Sequence, residues 1–256
     1  MRWVHAASAG VDAVLFPEVV AAGVTVTNVR GLFDRGIAEF VLLALLAFAK
    51  DLPATLEQQR RREWRHRDSE ALEGRRLLVV GAGSIGREVA RLARAVGLHV
   101  DGVARRGRPD DADFEEVAGT DDLHRMLADA DDVVITAPLT PETARLFDDD
   151  AFAAMRRGAR LINVGRGGIV DEPALLRALD SGQLGAAALD VFADEPLPPD
   201  SPLWGRANVI VSPHQAGDVH GWRRSLGELF VANVRRHLAD EPLHGVVHPP
   251  AEVAAR

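Results

Sequence analysis

The chain reads as an α/β protein built on a doubly wound parallel sheet, and three observations lead there. Short apolar runs alternate with amphipathic stretches from Leu77 to His214, the grammar of strand–helix–strand units. Those runs (LLVV, DVVITAP, ARLINVG, GAAALDVF and NVIVSPH) are apolar almost throughout rather than at alternate positions, so both faces of the sheet must be covered. The first run enters GAGSIG and then a helix-like stretch, the junction at which such sheets hold a dinucleotide.

Taken in order, two strands are expected at Trp3–Ala6 and Val24–Thr27, joined by a helix over Val11–Ala22. A long helix follows near Ile37–Arg62, apolar on most faces in its first half, which suits a core or a subunit interface. Its tail, EQQRRREWRHR, reads as a solvated basic helix face. Beyond the strand–GAGSIG–helix–strand unit, DDLHRMLADA, DDDAFAAMRRG and EPALLRALDSG each precede a strand. Pro173 opens the last of these helices and Gly182 follows it. The acidic stretches DDADFEE and DDD read as solvated surface, and GELFVANVRRHL as a late crossover helix.

Composition narrows the function. The 256 residues carry a net charge of −8, which argues against nucleic acid or an anionic membrane as the main partner. With no cysteine, disulfides, thiolate catalysis and thiolate-held metal are excluded, and no metal site is expected. The run Phe40–Ala49 is far short of the ~20 residues of a membrane helix, and no secretory signal is evident in MRWVHAASAG, so a cytoplasmic protein is expected.

In GAGSIG, Gly81 allows the tight turn, Gly83 lets the backbone approach a pyrophosphate, and Gly86 permits close helix packing. The helix N-terminus adds N–H groups and a positive dipole end. A site built for NAD carries an acid at the end of the next strand, for the ribose hydroxyls. Here HVDGVARR puts Ala104 in that place, followed by Arg105 and Arg106, while Asp101 sits too early in the strand. Two guanidiniums and no carboxylate suit the 2′-phosphate of NADP, so NADP is preferred and NAD is the alternative.

Three further strings, NVGRGG around Arg166, DVFADEP ending near Glu195 and SPHQAG around His214, each set a charged or titratable side chain among turn formers. A guanidinium grips a carboxylate bidentately, an imidazole moves a proton near neutral pH, and a neighbouring carboxylate favours the charged imidazole. Together these are the parts for reducing a 2-keto acid.

GAGSIG, DVVITAPLTPET, INVGRGGIVDE, LDVFADEPLP and SPHQAG, in this order and with earlier SAGVD, TNVRG and GIAEFVLLALLA, make the chain resemble the D-isomer-specific 2-hydroxyacid dehydrogenases, in particular the glyoxylate/hydroxypyruvate reductases. The resemblance implies that Arg166 binds the substrate carboxylate and polarises its carbonyl, that His214 donates the proton, and that Glu195 holds that imidazole protonated. It implies that backbone N–H groups of Ala9, Gly10 and Val11 hold the substrate carboxylate. It further implies that Asp190 binds the nicotinamide carboxamide, that Pro138 and Thr143 line the nucleotide edge, and that Ser84, Ile85, Thr136, Val164 and Gly217 join the cofactor set. A homodimer through the helix after Gly36 is implied as well.

The same resemblance implies a flavodoxin-like substrate domain beginning well before SAGVD, whereas only seven residues precede Ser8. At about 30 residues for each βαβ unit, some 50 to 70 residues are expected to be lacking. The expected layout is therefore an incomplete substrate domain of residues 1–34 and 229–256 around a nucleotide domain of residues 35–228 that includes the dimerisation helix. The expectation is an NAD(P)-dependent oxidoreductase acting on a small 2-keto or 2-hydroxy acid, or else a shortened, non-catalytic nucleotide-binding protein of the same fold.

Overall fold

A computed structural model of the chain describes residues 1–248. It comprises two compact units, residues 1–36 with 217–248 and residues 37–216; residues 249–256 of the expected substrate domain lie outside the described residues. The first unit opens with β1 (Trp3–His5), the single-turn helix α1 (Pro17–Ala21) and β2 (Thr25–Thr27), and β1 pairs with β2 in parallel. The helix expected over 11–22 is thus confined to its end. Phe16 precedes Pro17 and is extended at φ −83°, ψ 159°, as a residue before proline prefers. Residues 11–15 form a turn instead, closed by the Leu15 N–H to the Val11 carbonyl at 2.8 Å.

The long helix expected over 37–62 is two helices, α2 (Asp34–Ala49) and α3 (Leu52–Arg61). Asp51 between them is left-handed at φ 48°, and Pro53 stands in the first turn of α3, where its missing N–H costs nothing. The basic tail is not a helix face throughout. The chain leaves the helix at Arg62, and Arg67 turns back to donate to Asp51 at 2.7 Å, Gln58 at 2.9 Å and Thr55 at 2.5 Å.

The second unit then alternates β3 (Arg76–Val80), α4 (Ser84–Ala95), β4 (His99–Val103), β5 (Val117–Ala118), α5 (Leu123–Asp129), β6 (Asp132–Ile135), α6 (Asp149–Ala154), β7 (Ala159–Asn163), α7 (Glu172–Asp180), β8 (Leu184–Leu189) and β9 (Val209–Val211). The seven strands lie in the order β5-β4-β3-β6-β7-β8-β9, and every pairing is parallel. Strand order reverses between β3 and β6, the switch point outside whose carboxyl ends such sheets bind ligands. The two-residue β5 escaped the sequence, being too short to show a period.

Alternate strand residues feed two cores. Leu78, Val80, Val133, Ile135 and Leu161 pack with Leu127, Phe152 and Leu175 of α5, α6 and α7. Leu77, Val79, Val134 and Ile162 pack with Val41 and Leu45 of α2 and Val89 and Ala93 of α4. Both faces are covered, which is why the strands are apolar throughout. At the amino end of the sheet, away from the switch point, fully buried Asp132 accepts Arg160 bidentately at 2.5 and 3.0 Å and Arg75 at 3.0 Å. A buried carboxylate needs such partners.

Beyond the sheet the chain returns to the first unit with α8 (Trp222–Leu238) and β10 (Val246–His248). β10 pairs antiparallel with β2, giving a small sheet of order β1-β2-β10. Buried Asn233 of α8 fixes the turn into β10, bonding the N–H and carbonyl of His244 at 2.8 and 3.0 Å. Trp3 stacks on Phe230 of α8 at 6.0 Å between ring centroids and donates its indole N–H to Thr27 at 2.9 Å.

Candidate active site and dinucleotide cradle

The glycine turn follows β3 directly. Gly81 takes φ +114°, and a Cβ there would stand 2.5 Å from the Ala137 nitrogen. A Cβ on Gly86 would stand 2.3 Å from the Gly81 carbonyl oxygen, whereas one on Gly83 would meet nothing within 4 Å. Two glycines therefore serve internal packing and the third borders open space. That is the cradle a pyrophosphate would fill, so the residues present fit a dinucleotide. Ser84 and Ile85 open α4. Across the switch point the Thr136 hydroxyl donates to the Gly81 carbonyl at 2.7 Å, and Thr143 accepts from the Thr140 N–H at 2.8 Å and donates to the Pro138 carbonyl at 2.7 Å. Val164 is buried after β7.

At the end of β4, Ala104 is half-buried and Arg105 and Arg106 are exposed. Asp101 is committed elsewhere, accepting from Arg76 at 2.5 Å. The acidic stretch after them is not plain solvated surface. Asp111 and Asp113 bind Arg87 of α4, and Phe114 is 4% exposed. Sequence reasoning missed Arg87 and Arg108 because their acidic partners lie 24 and three residues away in a loop without periodicity.

The other three strings end adjacent strands. Arg166 follows β7 in a turn held by Asn163, whose side chain accepts the Gly165 N–H at 3.0 Å and donates to the Arg166 carbonyl at 3.1 Å. Arg166 is half-buried, and its guanidinium donates to the Gly165 carbonyl at 2.8 Å. Glu195, beyond β8, accepts the Phe192 N–H at 2.9 Å with one oxygen and stands 2.7 Å from His214 Nδ1 with the other. His214 follows β9 in a left-handed backbone conformation, φ 53°, with half of its side chain exposed. The imidazole thus keeps Nε2 for a reaction while Glu195 fixes its orientation.

Asp190 holds that conformation. Buried at the end of β8, it accepts the Ser212 hydroxyl at 2.6 Å and the backbone N–H groups of Gln215 and Ala216 at 3.0 Å each. Three acceptances leave little of a carboxylate's capacity, so the residue expected to face a carboxamide first of all shapes the turn carrying His214. Glu172, near Asp194, has its carboxyl pushed up by burial and by that neighbouring charge.

The remaining expected site residues fall in the first unit. Ala9, Gly10 and Val11 form a loop fixed through carbonyls, the Asn28 amide donating to Ala9 at 2.6 Å and the Ser8 hydroxyl to Gly10 at 2.6 Å. Gly217 packs under Phe33, whose ring would stand 3.0 Å from a Cβ there. Among the described residues no group of three metal-ligating side chains occurs, and no helix is long and apolar enough to cross a membrane.

A doubly wound sheet with a glycine cradle at its switch point defines a dinucleotide-binding domain, and its neighbouring strand ends add an acid-paired histidine and an arginine. Residues 42–216 match the model of the D-isomer specific 2-hydroxyacid dehydrogenase NAD-binding domain, and the chain belongs to that family. Among solved structures it is similar to an NADPH-dependent glyoxylate/hydroxypyruvate reductase from Sinorhizobium meliloti in complex with NADP and sulfate. That match has 30% identity, TM-score 0.88 and covers 100% of this chain and 80% of that one. It is similar also to a D-isomer specific 2-hydroxyacid dehydrogenase from Xanthobacter autotrophicus in complex with NADPH and MES, at 36% identity and TM-score 0.86, covering 97% and 79%. A curated relative, D-3-phosphoglycerate dehydrogenase from Methanocaldococcus jannaschii, is 31% identical over 98% of this chain, which spans 48% of that protein's length. The fold and a cofactor of the NAD or NADP type accord with these relatives.

Proposed function

We propose that the protein reduces a small 2-keto acid, such as glyoxylate or hydroxypyruvate, to the 2-hydroxy acid and prefers NADPH. The observation that carries the reading is the His214–Glu195 contact at 2.7 Å, on strand ends neighbouring the one that presents Arg166. A reduced nicotinamide held by the glycine cradle would supply the hydride that the keto carbon receives. Arg166 binds the substrate carboxylate and draws electron density toward the carbonyl oxygen. His214, bonded to Glu195 through Nδ1, delivers the Nε2 proton to that oxygen, and Glu195 keeps the ring oriented for the transfer. The products are the 2-hydroxy acid, the oxidised dinucleotide and a neutral imidazole that recharges from water.

The cofactor preference rests on Ala104, Arg105 and Arg106, which put two guanidiniums after the strand in place of the acid of an NAD site. The pyrophosphate is assigned to the N–H groups around Gly83 and Ser84, the nicotinamide edge to Val164 and Asp190. The first unit is assigned to part of a substrate domain, its Ala9–Val11 loop offering N–H groups to a carboxylate. The test is oxidation of NADPH and of NADH by this chain with glyoxylate and with hydroxypyruvate, followed at 340 nm, for the native protein and for R105A/R106A. Turnover favouring NADPH is expected, and the double variant should lose roughly 10- to 100-fold in NADPH affinity, the worth of one or two charge-assisted hydrogen bonds. Equal losses for NADH would refute the 2′-phosphate site. Dinucleotide binding without turnover would instead support a non-catalytic protein.

A homodimer through α2 and α3 is part of the same reading. Leu43, Leu52, Leu56 and Trp204 are exposed by 39–57% around one apolar groove of the second unit, a patch that suits a second copy. Sedimentation should give twice the chain mass, and Leu43→Glu should give monomer; a monomeric native protein would refute this assignment.

A further inference from the structure

We infer that Arg87 is a specificity-positioning residue that holds the Arg105–Arg108 turn in place for a 2′-phosphate. The inference rests on the NADPH preference proposed above and adds a residue that none of the glycine, arginine or histidine motifs contains. Arg87 lies in the first turn of α4, but its guanidinium is spent on the loop after β4. It donates to both oxygens of Asp111, at 2.8 and 2.6 Å, and to Asp113 at 2.7 Å. The Asp111 side chain is only 4% exposed, and it also accepts the Asp113 N–H at 3.2 Å. Burial would push its carboxyl up, yet the Arg87 hydrogen bonds, the Asp113 N–H and the nearby charge of Arg108 hold it below its ordinary value.

Arg108 completes the clamp. Its Nε lies 3.2 Å from Asp111, a charge contact without hydrogen-bond alignment, while its Nη2 donates to the Ala82 carbonyl at 2.9 Å. Ala82 is the second residue of the glycine turn. The loop bearing Arg105 and Arg106 is therefore tied at one end to the pyrophosphate turn and at the other to the first turn of α4. Exposed arginines on an unanchored turn would have to be ordered at the moment of binding, which weakens the complex. The clamp also neutralises Asp111 and Asp113, whose charges would otherwise repel a phosphate nearby.

NADH has a hydroxyl where NADPH has the phosphate, so loss of the clamp should act on one cofactor alone. The test is fluorescence titration of the full chain with NADPH and with NADH, for the native protein, R87A, R87K, D111N and R87A added to R105A/R106A. R87A and D111N should weaken NADPH about tenfold and leave NADH within about twofold, as for loss of a charge-assisted anchor. R87K, which keeps the charge without the bidentate fork, should recover only part of the loss, and R87A should cost nothing further once Arg105 and Arg106 are gone. Hydrogen exchange over residues 104–113 should rise in R87A. Equal weakening of both cofactors would assign Arg87 to the pyrophosphate or to bulk stability and overturn the inference, as would no change in either. An R105A/R106A protein with unaltered NADPH preference would fail the underlying reading itself, and that outcome is visible apart from any Arg87 variant. If R87A does not fold, D111N decides.

Discussion

Replacing His214 with alanine is expected to lower kcat for keto-acid reduction by roughly 10²- to 10⁴-fold, the usual worth of a positioned general acid, with dinucleotide affinity within about twofold. The expectation follows from how much structure is committed to one imidazole. Its backbone sits in the left-handed region at φ 53°, which a non-glycine residue keeps only where its surroundings over-determine it. Asp190 supplies that over-determination through Ser212, Gln215 and Ala216, and Glu195 fixes the ring through Nδ1. A surface histidine would justify neither arrangement. Stopped-flow or steady-state oxidation of NADPH, with a parallel binding titration, separates the two quantities. Unchanged turnover in the variant would sink the mechanism. A loss confined to cofactor binding would move His214 from chemistry to the cradle.

The parts of this molecule legible in its sequence were those in which a local pattern carries the physics. Strands β3, β4 and β6 to β9 were visible because burial in the sheet makes them largely apolar, and the turns holding Gly81, Arg166 and His214 because glycine, proline and asparagine mark backbone needs within a few residues. What escaped depends on distant pairing. DDADFEE looked like solvent-facing charge because Arg87, which neutralises Asp111 and Asp113, belongs to the preceding helix. Asp190 could be flagged as a polar residue at a strand end, but not as the acceptor that shapes the His214 turn, since its partners lie more than 20 residues on. The expected long helix breaks for a local reason: Pro53, two residues past left-handed Asp51, makes a helix start there, not continue. β10 could not be read at all, because three residues acquire a strand conformation only by pairing with β2.

Gly167→Ala is expected to be among the most damaging single-methyl changes in the chain. A Cβ on Gly167 would stand 1.8 Å from the Phe192 carbonyl carbon, 2.0 Å from its oxygen and 2.4 Å from the Ala193 nitrogen. All three are backbone atoms, so no rotamer change relieves the overlap. Either the Arg166 turn or the segment leading to Glu195 must move. Both carry site residues, so the methyl would damage the fold and misplace the guanidinium or the carboxylate together. Overpacking costs about 1–3 kcal/mol where side chains can yield, and an unyielding backbone puts this case at or beyond that upper end. For a domain of this size each kcal/mol lowers Tm by roughly 2–4 °C, so a fall of about 10 °C or failure to accumulate folded protein is expected in a thermal melt. Gly83→Ala is the matched control. Its Cβ would enter open space, so Tm should hold, while NADPH and NADH should both weaken because the methyl occupies the pyrophosphate cradle. A Gly167→Ala protein with native Tm and native turnover would mean that the turn after β7 and the segment after β8 do not approach as closely as described, and the assignment of Arg166 and Glu195 to one site would fall with that contact.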